Sequence, residues 1–117
     1  MELGCNSLSF SQFPTLVKFI DAKENLSVQV HPSDEYALAY ENSYGKTEMW
    51  YIVSCDEGEG IYLGLKKDVT NLELDAAIKD ERLTELLNFY TVKAGECYFI
   101  PAGTLHAIGK GCLILEI

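Results

Sequence analysis

One segment near the start of the chain alternates between apolar and polar side chains and limits the fold more than any other stretch: Leu26-Ser27-Val28-Gln29-Val30-His31-Pro32. A period of two residues is the period of a β-strand, so the two sets of side chains point to opposite faces of a sheet. On the polar face, Gln29 and His31 lie roughly 7 Å apart along the strand, which lets both bind one small ligand. Because an unpaired polar group in a dry core costs about 1–3 kcal/mol, this face is predicted to line a cavity.

Length and charge narrow the class of protein. The chain has 117 residues, enough for one packed domain and too few for two. Its net charge is −9 and Arg82 is its one arginine, which argues against nucleic acid or an acidic membrane surface as a partner. The first residues lack the basic region and apolar run of a signal peptide, and no apolar stretch is long enough to cross a membrane. We therefore expect a cytoplasmic protein.

The four cysteines do not form the closely spaced pairs of a zinc knuckle or a thioredoxin-type site: they are Cys5, Cys55, Cys97 and Cys112. In a cytoplasmic protein such residues are expected to be free thiols. Cys97 and Cys112 lie in apolar, strand-like runs, so we expect both to be small buried hydrophobic residues.

The remaining pattern indicates many short strands and one helical insert. Residues 1–12 are polar and aperiodic and are predicted to be a loose lead-in. Ser33 is a predicted N-cap for a short helix over 34–40, and the helical spacing of leucines over 70–88 predicts one or two short helices. Strands are predicted at 16–20, 26–32, 48–53, 61–65, 90–92, 97–100, 104–108 and 112–117. This pattern predicts a single domain over 1–117, all-β with a short helical insert, built as a sandwich or small barrel.

A second group of spaced residues surrounds one of the two histidines of the chain. From Gly95 the chain reads Gly, five residues, Pro101, one residue, Gly103, two residues and His106. The glycines permit tight turns, the proline fixes the entry to the strand, and His106 is then directed into the mouth of a barrel. A lone histidine in such a place is more often structural than a ligand, but this spacing resembles the second signature motif of the cupin barrels. The resemblance implies a cupin double-stranded β-helix, which is a jelly-roll barrel.

The first cupin motif usually supplies a His-x-His pair and a later glutamate, whereas this chain has Gln29-Val30-His31 and, much later, Glu48. A Gln-x-His pair followed by His-Pro-x-Asp-Glu-x-Ala and by Gly-Lys-x-Glu-Met-Trp resembles the type I mannose-6-phosphate isomerases. The matching segments span most of the chain: 13–14, 16–22, 26–37, 45–51 and 100–108. The chain resembles the central barrel segment of that family, whose members carry further segments on both sides.

The resemblance implies one zinc ion per chain, held by Gln29, His31, Glu48 and His106. Two imidazoles and two oxygen ligands suit Zn²⁺, and this set carries a single formal negative charge, which leaves the ion an effective Lewis acid. Without the motifs, Gln29 would be a polar strand residue bonded to backbone, and Glu48 a solvated carboxylate at a sheet edge. Strand alternation places Glu48 and Trp50 on the same face.

The resemblance also implies a reaction, the interconversion of mannose 6-phosphate and fructose 6-phosphate by proton transfer between neighbouring carbons. Zinc near the C1 and C2 oxygens of this small phosphosugar would stabilise the developing oxyanion. Lys46 lies two residues before Glu48 and is the candidate for proton transfer or phosphate contact, the alternative being a solvated turn lysine. Ser27 shares the face of Gln29 and resembles the substrate-contacting serine of the family.

Alternatives remain open at the level of function. A phosphosugar dianion needs local cations, preferably a bidentate arginine, and Arg82 lies in the predicted helical insert. The chain is therefore either an isomerase or a non-catalytic metal- or sugar-binding cupin. An iron-dependent dioxygenase is disfavoured because Gln29 replaces an expected histidine. A partner chain, as in a homodimer, is one way in which exposed sheet edges would be covered.

Overall fold

A computed structural model describes Cys5 and residues 13–117, so the predicted lead-in over 1–12, apart from Cys5, lies outside the described residues. The described strands are β1 (Lys18–Asp21), β2 (Glu48–Cys55), β3 (Gly60–Leu65), β4 (Leu87–Thr91), β5 (Cys97–Ile100), β6 (His106–Ile108) and β7 (Cys112–Glu116). The helices are α1 (Asp34–Tyr40) and α2 (Asn71–Lys79), and a 3-10 helix follows at Leu83–Leu86. The architecture is mostly β-sheet with short helices, which confirms the predicted class.

The strands form two antiparallel sheets that share one core. The larger sheet has the order β1-β7-β2-β5, and the smaller has the order β4-β3-β6. In the larger sheet, Trp50 of β2 lies opposite Glu116 of β7 and Tyr98 of β5. In the smaller sheet, His106 of β6 lies opposite Leu63 of β3. This arrangement is the cupin jelly roll that the sequence motifs imply. That residues 1–117 form a single domain stays a prediction.

The core is apolar and draws side chains from both sheets. Trp50 and Ile52 of β2, Ile114 of β7 and Ile61 of β3 are each at most 1% exposed. Strand alternation accounts for this burial, because every second residue of a strand points inward. The same alternation carries Glu48, the first residue of β2, to the inside of the fold, where it is 2% exposed.

The helices begin where the sequence predicts. Ser33 caps α1, its hydroxyl accepting a hydrogen bond from a backbone N–H of the first turn at 3.4 Å. Thr70 and Glu73 form a capping box at α2, so both side chains satisfy backbone donors that the first turn leaves unpaired. The helical stretch predicted over 70–88 ends early, because Leu87 is buried in β4. None of the helices in the described part of the chain has the length and apolar character needed to cross a lipid bilayer.

The prediction of a regular strand over 26–32 is wrong. Within this segment Gln29 forms an isolated β-bridge, opposite His106. The N–H groups of Leu26 and Gln29 donate to carbonyls of β6 at 2.9 and 2.8 Å, and the N–H of His106 donates back to Gln29 at 2.9 Å. Leu26 and Val30 are 40% and 53% exposed, so the apolar face is not a core face. The physical reason is that the segment lies at the edge of the smaller sheet and is hydrogen-bonded to β6 at only these points.

The cysteines also differ from the prediction. Cys55 and Cys112 are not free thiols, since they form a disulfide between β2 and β7 at positions directly opposite each other. Cys112 is fully buried, as predicted, but Cys97 is exposed. Strand alternation explains the exposure, because Cys97 lies opposite Tyr51 on the outer face of the larger sheet.

Candidate metal centre

Three of the four predicted metal ligands converge between the two sheets. The ligand atoms of His31, Glu48 and His106 all lie within 4.8 Å of one another. His31 Nε2 lies 3.1 Å from Glu48 Oε1, and His106 Nε2 lies 3.7 Å from Glu48 Oε2. The carboxylate therefore stands between two imidazoles, with one oxygen towards each.

A tight turn at residues 102–103 is hydrogen-bonded to the segments that carry His31 and Glu48. The N–H of Gly103 donates to the carbonyl of His31 at 2.8 Å, and the N–H of Ala102 donates to the Thr47 hydroxyl at 3.4 Å. Gly103 has a φ of 84°, a left-handed conformation that glycine adopts without steric cost. The turn thus ties together two ligand-bearing segments, and the third ligand follows it in the chain.

Close contact between the backbones of residues 32–34 and 45–46 positions the segment that leads into β2. Gly45 lies against the backbone of residues 32–34, where an added Cβ atom would come within 2.5 Å of Pro32 O and Asp34 N. The N–H of Gly45 donates to the Asp34 carboxylate at 2.9 Å, and the N–H of Lys46 donates to the Pro32 carbonyl at 3.1 Å. The Gly-Lys and His-Pro pairs that stand out in the sequence are therefore in contact.

Trp50 orients the carboxylate of Glu48. The indole Nε1–H donates to Glu48 Oε2 at 3.1 Å, and both side chains are buried. The indole also meets the His106 ring edge-on, with ring centroids 5.4 Å apart. One side chain therefore restrains two of the ligands.

A backbone carbonyl sets the orientation of the His106 ring. Ring atom Nδ1 lies 2.7 Å from the carbonyl oxygen of Thr104. Because a carbonyl oxygen only accepts, Nδ1 carries the proton, and the lone pair of Nε2 is left facing Glu48. Metal-ligating histidines usually have this arrangement, with the second ring N–H held by a carbonyl or carboxylate.

Two of the candidate ligand atoms lack a well-directed hydrogen-bond partner in the part of the chain that the structure describes. Among the described residues, His31 Nε2 and Glu48 Oε1 are buried yet make no well-directed hydrogen bond, although the Lys46 ammonium contacts Glu48 Oε1 as an ion pair. Burial lowers the pKa of His31 and outweighs the opposing effect of Glu48, so this imidazole favours its neutral form. Two imidazole nitrogens and a carboxylate at one point are a donor set that fits a divalent metal ion.

The fourth predicted ligand lies beside this cluster. Gln29 is exposed and lines a cavity of about 130 Å³ together with Ser27, Lys46 and His106. The backbone of Gln29 is held by its two hydrogen bonds to His106. The structure thus brings both predicted substrate-contacting residues, Ser27 and Lys46, to one cavity with two of the predicted ligands.

Lys18, Lys46 and Glu116 line the same cavity, and Glu48 contacts Lys46. The Lys46 ammonium contacts Glu48 Oε1 and lies 3.3 Å from Glu116 Oε1, and the Lys18 ammonium lies 2.7 Å from that Glu116 oxygen. Burial alone would lower the pKa of Lys46, but its contacts with Glu48 and Glu116 outweigh burial and raise the pKa. Burial alone would raise the pKa of Glu116, but Lys18 and Lys46 outweigh burial and lower it. Lys46 and Glu116 are therefore charged at neutral pH.

Sequence reasoning missed Lys18 and Glu116. Glu116 shares the inward face of β7 with Cys112 and Ile114. Alternation along this strand could have revealed it in the sequence, because a carboxylate at a core-facing position requires a partner. Lys18 lies directly opposite Glu116 in the register of β1 and β7. A pairing between residues so distant in the chain becomes visible only once the sheet order is known.

The arginine considered for phosphate binding lies elsewhere. Arg82 is exposed and forms ion pairs with Asp80 at 3.0 Å and Glu85 at 3.3 Å. It does not line the cavity beside the metal ligands. The cations of the site are therefore lysines.

Comparison with protein-family models gives no match. The chain is, however, 49% identical over 115 residues to the mannose-6-phosphate isomerase of Streptococcus mutans, covering 98% of this chain and 36% of that protein. It is 47% identical over 110 residues to the mannose-6-phosphate isomerase ManA of Bacillus subtilis, covering 93% of this chain and 35% of that protein. The chain thus spans about a third of the length of these relatives.

The fold is also similar to that of a solved mannose 6-phosphate isomerase. The crystal structure of the mannose 6-phosphate isomerase from Bacillus subtilis matches with a TM-score of 0.85 at 40% identity, covering 95% of this chain and 35% of that one. Sequence identity and the shared fold together show that these 117 residues are similar to one segment of the mannose-6-phosphate isomerases, about a third as long as the relatives they match.

Proposed function

We propose that this chain provides the metal-dependent site of an isomerase that interconverts mannose 6-phosphate and fructose 6-phosphate. The observation that carries the proposal is the convergence of His31, Glu48 and His106 beside a cavity lined by Ser27 and Lys46. The names of the relatives give an isomerase that acts on mannose 6-phosphate, and the residues of this chain have the chemistry that such a reaction needs.

The proposed cofactor is one zinc ion, held by His31, Glu48 and His106 with Gln29 as the fourth ligand. Two imidazole nitrogens, a carboxylate and an amide oxygen suit Zn²⁺, and none of these ligands is a thiolate, the donor that closed structural sites favour. When bound, zinc would supply a Lewis acid for the oxygens of the sugar.

The residues around the ligands have separate roles in the proposed reaction. Lys46 presents an ammonium group to the cavity and can donate a hydrogen bond or a proton to a substrate oxygen. Ser27 lines the same cavity, and its hydroxyl is proposed to orient the sugar. The charges of Lys18 and Lys46 are balanced by Glu48 and Glu116, so a divalent cation leaves the site positive, which complements a phosphate dianion.

The test is an isomerase assay of the 117-residue chain. We expect zinc-dependent conversion of mannose 6-phosphate to fructose 6-phosphate that a chelator abolishes and added zinc restores. Glu48→Gln should lose turnover, because it removes the one charged ligand. Glu59→Gln is the matched control, since Glu59 pairs with Lys110 at 3.3 Å in a different cavity and should keep full turnover. Zinc-loaded protein without turnover would contradict the proposal.

The second candidate is a non-catalytic metal- or sugar-binding cupin. One observation favours it: Arg82 does not line the cavity, so the described cations of the site are lysines. Such a protein would bind zinc and be stabilised by mannose 6-phosphate without converting it. Thermal unfolding with and without the sugar, run beside the assay, separates the two candidates. A cytoplasmic location and a homodimer stay predictions from the sequence.

A further inference from the structure

Lys46 contacts two carboxylates, of which only one belongs to the candidate metal ligands. Its ammonium touches Glu48 Oε1 and lies 3.3 Å from Glu116 Oε1. Glu116 is itself 6% exposed and lies 2.7 Å from the Lys18 ammonium. The second carboxylate is thus buried, held by its own strand pairing, and already in contact with Lys46.

Glu48 Oε1 is close both to a candidate metal ligand and to an ammonium group. The same oxygen faces His31 Nε2 at 3.1 Å and also receives the Lys46 ammonium. A divalent cation shared by His31 and Glu48 would need this oxygen, and it would repel the ammonium beside it. Ammonium and cation therefore compete for one buried atom.

We propose that Glu116 is a positioning residue that holds the Lys46 ammonium when a divalent cation binds Glu48. Lys46 lowers the metal affinity of the site because it competes for Glu48. Glu116 raises the metal affinity again because it offers Lys46 a second carboxylate. This inference rests on the proposed function, because it takes the metal site as given. It assigns Glu116 a role distinct from that of a ligand, since Lys46 keeps one carboxylate partner and stays beside Ser27 in the cavity.

The test is a double-mutant cycle on zinc affinity, measured by competition with a chromophoric chelator at fixed pH and ionic strength. Lys46→Met should bind zinc about tenfold more tightly than the wild type, because the competing ammonium is gone. Glu116→Gln should bind it about tenfold more weakly, because Lys46 is left with Glu48 alone. In the Lys46→Met background, Glu116→Gln should change the affinity by about twofold or less, which reflects only the loss of a nearby charge.

The chain offers a matched pair of controls. Lys110 and Glu59 form an ion pair at 3.3 Å beside a different cavity. Lys110→Met and Glu59→Gln make the same changes in net charge, and neither should shift the zinc affinity beyond the twofold expected of charge alone. Circular dichroism of each variant establishes that it is folded before its affinity is compared.

Three results would overturn the inference. Lys46→Met could bind zinc no more tightly than the wild type, Glu116→Gln could weaken binding equally in both backgrounds, or Glu116→Gln could weaken it no more than Glu59→Gln does. The last comparison holds even if Lys46→Met does not fold. Absence of zinc binding in every variant would remove the proposed function as well. A coupled cycle in a protein without isomerase turnover would remove only the proposed reaction.

Discussion

His31 Nε2 and Glu48 Oε1 face each other 3.1 Å apart in the interior of the fold. Neither atom makes a well-directed hydrogen bond within the described part of the chain. Glu48 Oε1 has the Lys46 ammonium as an ion-pair partner, whereas His31 Nε2 is left unsatisfied among the described residues, which costs about 1–3 kcal/mol. A cation bound between the two atoms would give His31 Nε2 a partner, which supports the metal site proposed above.

Zinc is therefore expected to stabilise the chain against unfolding. At about 100 times its Kd, a bound ion adds about 2.7 kcal/mol to the free energy of unfolding. Thermal unfolding followed with zinc and then with excess chelator should show a higher Tm with zinc, and His31→Ala should abolish the difference. An identical Tm under both conditions would show that the cluster does not bind the ion.

The neutral His106 ring is expected to carry its proton on Nδ1. The carbonyl of Thr104 lies 2.7 Å from that nitrogen and can only accept. Long-range ¹H–¹⁵N correlation spectra of the protein without added metal should report this tautomer, leaving Nε2 unprotonated. A signal pattern for protonated Nε2 would mean that the ring does not present its lone pair to Glu48.

Trp50→Phe should weaken zinc binding more than it disturbs the fold. The substitution removes the Nε1–H donor that lies 3.1 Å from Glu48 Oε2 but keeps an aromatic ring in the core. Loss of a hydrogen bond that orients a metal ligand typically lowers metal affinity about 10-fold to 100-fold. Tyr98→Phe is the matched control, because it removes a hydroxyl that donates to Glu96, also two residues earlier. Equal zinc affinities for the two variants would contradict the role given to Trp50.

Gly45→Ala should lower the free energy of unfolding more than Gly103→Ala does. Gly45→Ala places a Cβ atom 2.5 Å from backbone atoms of Pro32 and Asp34, and backbone cannot yield without moving the segment that follows His31. Gly103→Ala meets no atom within 4 Å, so its cost is the backbone strain of a φ of 84°, about 1–2 kcal/mol. Urea unfolding should show the larger loss of stability for Gly45→Ala. The reverse order would mean that the close approach relaxes easily.

The contribution of Glu116 to stability should depend on pH. Its folded-state pKa lies below the ordinary value of 4.5, since Lys18 and Lys46 outweigh the opposing effect of burial. A carboxyl with a lowered pKa stabilises the fold above its unfolded-state pKa and loses that contribution as the pH falls through the folded-state value. Glu116→Gln should therefore be more destabilising at pH 7 than at about pH 3. A difference in unfolding free energy that stays constant across this range would argue against the ion pairs.

Local rules account for the parts of the fold and site that sequence could predict. Alternation in β2 directs Glu48 and Trp50 inward, and both are buried. Ser33 begins α1 because its side chain satisfies a donor of the first turn. His106 follows a turn whose glycine, Gly103, adopts the left-handed conformation that the motif requires. Each of these features depends on a few neighbouring residues, so the sequence alone determined it.

Other features depend on which segments lie side by side. Lys18 and Glu116 are 98 positions apart and meet because β1 pairs with β7. Residues 26–32 alternate like a strand, yet they meet β6 at only a few points and form no regular strand. Cys97 sits in an apolar run but faces outward. The sequence by itself determined which residues could point inward and where turns could form, whereas the tertiary structure alone decided which charges and strands became neighbours, because long-range pairing is set by the packing of the whole fold and not by local preference.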